Sequence, residues 1–183
     1  MTTMQPDSAC YLTTKDATIL EGILANMETR DLGDTPVACL LRRKLAHARV
    51  SFRDDIAPCV ATINSRVEFQ ADNGPVQSST LTFGGENALP GATLSVSTLR
   101  GLALLGLIEG QSIAIDQVDG RSEVLRLERI VYQPEFARRT KADARVAETL
   151  AFPNARMRAA LSRAKQRTTL YDPDDNDPGP SAA

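Results

Sequence analysis

Tryptophan is missing from this 183-residue chain, which holds only five phenylalanines and three tyrosines. A core here must therefore be built from Leu, Ile, Val and Ala. The three cysteines, Cys10, Cys39 and Cys59, form no close pair such as C-x-x-C. That spacing argues against a disulfide framework or a zinc site, and a reducing compartment fits it best. The one histidine, His47, has no Cys/His/Asp set beside it, so a metal centre is not expected and helix-end stabilisation is. No apolar run approaches the ~20 residues needed to cross a bilayer. The first ten residues carry neither a basic nor an apolar region of the secretory kind. A soluble, cytoplasmic, monomeric protein without cofactor is the expectation.

Net charge is also nearly absent, at -2, but its distribution is uneven. Residues 1–50 balance six acids against six bases, and residues 51–135 carry eleven acids and six bases. Residues 136–167 reverse the sign, with nine bases (Arg138, Arg139, Lys141, Arg145, Arg156, Arg158, Arg163, Lys165 and Arg167) against Asp143 and Glu148. The last sixteen residues are acidic through Asp172, Asp174, Asp175 and Asp177. Such segmental asymmetry points to partners better than the total does.

Thr13 is placed to cap a helix, with Asp16 three residues on. Leu20, Ile23, Leu24 and Met27 then share one face. After the break ETRDLGDT, Thr35-Pro36 reads as N-cap and first helical residue. Val37, Leu40, Leu41, Leu45 and Ala48 make the second stripe. Two helices of about fourteen residues, joined by a short loop, predict an antiparallel hairpin, a short coiled coil about 20 Å long. From Val60 the period becomes two, with a turn signal at Asp72-Asn73-Gly74-Pro75. Strands follow around Leu81 and Phe83, around Leu94 and Val96, over 112–118 and over 123–132. Asp119-Gly120 between the last two is a hairpin signal. The apolar segment Leu102–Leu107 is the short helix at the centre. Helical spacing returns over 136–150 and 154–167.

The fold class is therefore α+β. The expected division is a flexible leader over residues 1–10, a helix hairpin over 11–52 and an antiparallel sheet domain over 53–135. A basic helical extension over 136–169 and a disordered acidic tail over 170–183 complete it.

Two stretches carry a family signature. TINSRV, Thr62 to Val67, and SVSTLRGLALLGLIEGQ, Ser95 to Gln111, resemble the C-terminal domain of the GreA/GreB transcript-cleavage factors. They match the short Rnk-type regulators of nucleoside diphosphate kinase better than the full-length cleavage factors. The family writes these stretches roughly as T-M-N-S-R-V and S-V-x-x-P-x-G-x-A-L-L-x-L-x-x-G-D. Leu99 stands here for the Pro and Gln111 for the Asp. YQPE, Tyr132 to Glu135, is also Rnk-like, and the extension beyond it departs from Rnk. The resemblance implies an FKBP-like sheet domain and a non-enzymatic regulator that binds bacterial RNA polymerase near its secondary channel. The family name implies an effect on nucleoside diphosphate kinase as well.

On that resemblance the polymerase-contact candidates are Asp31, Asp34, Asn64, Ser65, Arg66, Arg100 and Gly101. Gre factors carry D-L-x-E-N at a coiled-coil tip that helps hold a catalytic magnesium. Asp31-Leu32-Gly33-Asp34-Thr35 stands in that place, with Asp for Glu and Thr for Asn. Carboxylates are the hard oxygen ligands magnesium takes, so a cleavage factor using Asp31 and Asp34 is the first alternative. Acids ahead of a helix N-terminus are also favoured by its dipole alone, and a hairpin this short argues against reaching the active centre. Structural roles in turns are the main expectation for the glycines, and Asn64 and Arg66 could equally anchor a turn or meet polymerase. Prolyl isomerase chemistry needs an aromatic-lined pocket, and this region offers only Phe52, Phe69, Phe83 and Tyr132. A second alternative is a DNA- or RNA-binding module on the nine bases of 136–167. No aromatics are interleaved there for base stacking, and a solvated amphipathic element docking on the chain's own acidic sheet domain is an equal reading of the same bases.

Overall fold

The computed structural model describes residues 10–84, 91–117 and 120–147. The expected leader apart from Cys10, the second helix of the extension and the acidic tail lie outside the described residues. The chain divides into two compact units, residues 1–139 and 140–183. Of the second, residues 140–147 are described and are helical.

The first unit opens with β1 (Tyr11–Thr13) and α1 (Thr14–Thr29), then α2 (Pro36–His47) and β2 (Arg49–Ser51). Threonine hydroxyls start both helices. Thr13 accepts from the Asp16 amide and Thr35 from the Ala38 amide, each satisfying a donor with no intrahelical partner. Pro36 sits in the first turn of α2. Leu20 of α1 and Leu40 and Leu41 of α2 are buried in the core, as their stripes require. His47 Nδ1 lies 2.9 Å from the Arg43 carbonyl oxygen in the last turn of α2.

The expected region 11–52 is not helical throughout. β1 and β2 flank the helices and pair in parallel, Tyr11 with Arg49 and Thr13 with Ser51. The Tyr11 amide continues inward to the Gly106 carbonyl. Three-residue strands almost forty residues apart leave no periodic trace in a sequence.

A five-stranded sheet follows in the order β5-β4-β3-β7-β6, with β3 (Arg66–Ala71), β4 (Gln77–Thr82), β5 (Thr93–Ser95), β6 (Ser112–Asp116) and β7 (Ser122–Tyr132). Its pairs are antiparallel except β4 with β5, which run parallel. The expectation of a wholly antiparallel sheet is corrected at that edge. The strand expected from Val60 also begins later, at Arg66. Val60 makes an isolated bridge to Ile108, and residues 62–65 form a turn. Two register shifts between β3 and β7 add the local twist and bend that bulges impose.

Helix α3 (Leu99–Leu104) is the centre of the core. Leu102, Ala103, Leu104 and Leu105 are all fully buried, beside Leu12, Leu81, Leu125 and Leu127. Gly101 lets it approach the sheet, since a Cβ there would stand 2.1 Å from the Ser95 carbonyl oxygen. After β7, α4 covers residues 134–147.

Candidate functional site

The loop between α1 and α2 is an ordered tip. Asp31 takes a left-handed conformation at φ 58° and ends α1, a position that Asp tolerates better than most residues. The Leu32 amide returns to the Met27 carbonyl, and the Thr35 hydroxyl donates to the Leu32 carbonyl at 2.9 Å. Arg42 clasps the loop from α2. It donates to the Gly33 carbonyl at 2.7 Å and pairs with Glu28 at 3.1 Å. Asp31 and Asp34 are exposed, and Leu32 between them is 44% exposed.

Asp34 also edges a cleft of about 360 Å³ between the start of α2, α3 and strand β6. Cys39 and Arg43 of α2, Leu99 of α3 and Asp116 of β6 are among its lining residues. The cleft thus brings a residue of the tip together with Leu99, the substituted position of the second signature. Asn64 and Arg66 are not among the residues lining it. Among the described residues, no group of three or more His, Cys, Asp or Glu side chains is placed to hold a metal ion.

The turn 62–65 explains the first signature structurally. Thr62 and Ser65 are buried, and their hydroxyl oxygens lie 2.8 Å apart. The Thr62 amide donates to Ser65 Oγ at 3.2 Å, and the Ser65 amide donates to the Thr62 carbonyl at 3.0 Å. Asn64 occupies the left-handed position at φ 69°, with its side chain exposed. Its amide and carbonyl neighbours continue into β4, Asn64 N–H to the Leu81 carbonyl and Leu81 N–H to the Ser65 carbonyl. Arg66 is exposed and bonds Ser78 across the β3–β4 pair at 3.2 Å.

Arg100 and Gly101 begin α3. Arg100 grips the buried carboxylate of Glu123 on β7 at 2.9 and 2.5 Å, and Gln117 adds a third bond to it at 3.1 Å. That hydrogen bonding raises the Arg100 pKa. Its fork is therefore occupied in fastening α3 to the sheet.

In the basic set, Arg138 and Lys141 are exposed on α4, as is Arg145. Arg139 turns back to donate to the Asp54 and Ile56 carbonyls at 2.6 and 2.8 Å. Arg156, Arg158, Arg163, Lys165 and Arg167 lie outside the described residues. Of the four aromatics weighed for an isomerase pocket, Phe69 is buried in the core, while Phe52, Phe83 and Tyr132 are exposed.

Several structurally important residues escape a sequence reading. Lys44 of α2 is 4% exposed and donates to the Ala103 and Leu105 carbonyls at the end of α3. Burial lowers its pKa to about 8. It lies four residues after Leu40 and three after Leu41, on the apolar stripe, and that position was the available signal. Asp16 is buried as well, and desolvation raises its pKa. Gln133 and Glu135, in the YQPE stretch, are buried against the turn before β3. Gln133 donates to the Ala57 and Val60 carbonyls at 2.9 and 2.7 Å, and the Thr62 hydroxyl donates to Glu135 at 2.7 Å. Two signatures separated by about seventy residues thus meet in one buried network.

No family model matches the chain. It is 34% identical over 103 residues to the regulators of nucleoside diphosphate kinase of Escherichia coli strain K12, Escherichia coli O6:H1 and Shigella flexneri, covering 56% of this chain and 76% of each relative. Among solved structures it is similar to the prokaryotic transcription elongation factor GreA/GreB from Nitrosomonas europaea, with a TM-score of 0.53 and 27% identity. That match covers 69% of this chain and all of the other. The mixed α+β arrangement is shared with that structure, and the chain belongs to the GreA/GreB-like family of regulators of nucleoside diphosphate kinase.

Proposed function

We propose that this protein is a non-enzymatic transcription regulator that binds bacterial RNA polymerase near its secondary channel. In this reading the helix pair is a short coiled-coil hairpin and residues 53–135 are an FKBP-like docking domain. Asp31 and Asp34 meet the polymerase from the tip, Asn64, Ser65, Arg66, Arg100 and Gly101 frame the docking domain, and residues 136–169 are an appendage. The observation that carries the reading is the cleft that gathers Asp34 of the tip and Leu99 of the second signature on one side of the molecule. One partner surface can meet both there. The tip's order, held by Arg42, supports presentation of a fixed shape, which lowers the entropy cost of binding.

Reach argues against transcript cleavage. α1 has 16 residues, about 24 Å at ~1.5 Å per residue, and its base is sunk in the core. The test is binding of the purified protein to core polymerase, with a Gre factor as competitor. Binding displaced by the Gre factor is expected, and no binding at micromolar concentration in low salt overturns the reading. Backtracked complexes are expected to show no added RNA cleavage. Magnesium-dependent stimulation abolished by Asp31→Ala would instead establish the cleavage alternative.

A further inference from the structure

Strand β6 is an edge of the five-stranded sheet, and among the described residues no strand pairs with its other side. Its hydrogen-bonding phase follows from its two ends. The Gln117 amide donates to the Arg121 carbonyl, and the Leu127 amide donates to the Gln111 carbonyl. Between them Ile113 stands opposite Leu125 and Ile115 opposite Glu123. Antiparallel alternation then turns the backbone groups of Ile113 and Ile115 toward β7. The N–H and C=O groups of Ala114 and Asp116 point away from the sheet.

That side of β6 opens on the cleft, which is lined by the consecutive residues Ala114 to Gln117. Successive side chains of a strand point to opposite faces, so a cavity touching four residues in a row meets the strand along its edge. Across the cleft stands one stripe of α2, Pro36, Cys39, Leu40 and Arg43, at the i, i+3, i+4, i+7 spacing of a single helix face. An exposed edge strand can take an extended peptide as a further strand, its backbone giving affinity and side-chain pockets giving specificity. Leu40, Leu99 and Ile115 supply an apolar lining. Asp34 and Asp116 set two negative charges there against the positive charge of Arg43. None of the three has an ion pair among the described residues. A second copy at this edge would gather four carboxylates and two guanidinium groups, whereas a basic segment complements the charge.

We propose that the cleft is a peptide groove, in which an extended, basic segment of a partner protein pairs with the Ala114 and Asp116 backbone as an added strand. An apolar side chain of that segment lies over Leu40 and Leu99, and a neighbouring Lys or Arg meets Asp34 or Asp116. Resting on the reading above, in which this side of the molecule faces a partner, the groove adds the chemistry of the contact. Main-chain pairing supplies the affinity, and the two carboxylates select a cationic segment over an acidic one.

The test uses the full chain and two alternating pentapeptides, acetyl-Lys-Val-Lys-Val-Lys-amide and its glutamate counterpart. In the free protein, amide exchange at Ala114 and Asp116, corrected for intrinsic rates, should be fast beside Ile113 and Ile115. The lysine peptide at millimolar concentration should slow Ala114 and Asp116 by about tenfold, and the glutamate peptide should not. Asp116→Asn should weaken the lysine peptide by about two- to fivefold, the worth of an exposed ion pair. Ala114→Pro removes an outward donor and no bond to β7, a change edge strands accept, and should abolish the protection. Protection by neither peptide, or equally by both, overturns the groove even if Ala114→Pro fails to fold. So does protection of Ala114 that grows with the protein's own concentration, the mark of a second copy. Core polymerase separates the groove from the functional reading. Polymerase binding undiminished by a folded Ala114→Pro overturns the groove and leaves that reading standing. Lysine-peptide protection without polymerase binding upholds the groove and removes polymerase as the partner.

Discussion

A lysine on the buried stripe of a helix loses its hydration, and Lys44 recovers part of it from the two carbonyls at the end of α3. Its pKa of about 8 against an ordinary 10.5 records the remainder. A base whose pKa falls on folding makes stability rise with pH between the folded and unfolded values. The wild type should therefore gain stability from pH 8 to pH 10, measured by urea unfolding. Lys44→Met should lack that gain and leave two buried carbonyls without a donor, at about 1–3 kcal/mol. The gap between the two proteins should widen with pH. Gly101 carries a simpler prediction. Gly101→Ala puts a methyl against the Ser95 carbonyl oxygen, and forcing α3 off β5 should cost about 1–3 kcal/mol or more in the same measurement. Arg100 illustrates a limit of reading roles from a motif. Its place in the signature suggests a contact surface, but its side chain is held by Glu123, which lies 23 residues away.

Among the elements, α3 concentrates the core and the tip concentrates the exposed chemistry. Leu104→Ala should destabilise by about 2–5 kcal/mol, since the site is fully buried and surrounded by other leucines. Arg42→Ala should behave differently. Its pair with Glu28 is 44% and 51% exposed, so global stability should change by less than about 1 kcal/mol. The loss should appear locally, as faster amide exchange over residues 31–35 with the rest of the protein unchanged. The two helices were legible because threonine caps and apolar stripes are local. Strands β1 and β2 were not, because each is three residues long and exists only where the helix pair returns the chain to its start. Val60 and Thr62 alternate as a strand would, while Asn64 and Arg66 could equally anchor a turn, so local pattern leaves residues 62–65 open. The Thr62–Ser65 hydroxyl contact and the left-handed Asn64 decide for the turn.

For the whole molecule, the basic extension is the part whose role the family leaves open. If its bases bind phosphates, affinity of the full chain for DNA or RNA should fall steeply with salt, by about one unit of log-log slope per phosphate contact. A chain truncated after residue 147 should then lose most of that affinity. The truncation belongs beyond α4's first turns because Glu135 and Arg139 are tied into the first unit. Equal, salt-insensitive binding by both chains would exclude phosphate recognition. By itself the sequence determined the α+β class, the helix pair, the central apolar helix, the Asp72–Gly74 turn and the family, because caps, periodicity and turn residues act over a few positions. Tertiary structure alone decided which polar residues are buried, which strand edge runs parallel and which signature residues meet. Thr62 and Glu135 stand far apart in the chain, and burying a carboxyl group against a turn is a property of packing that no local pattern records.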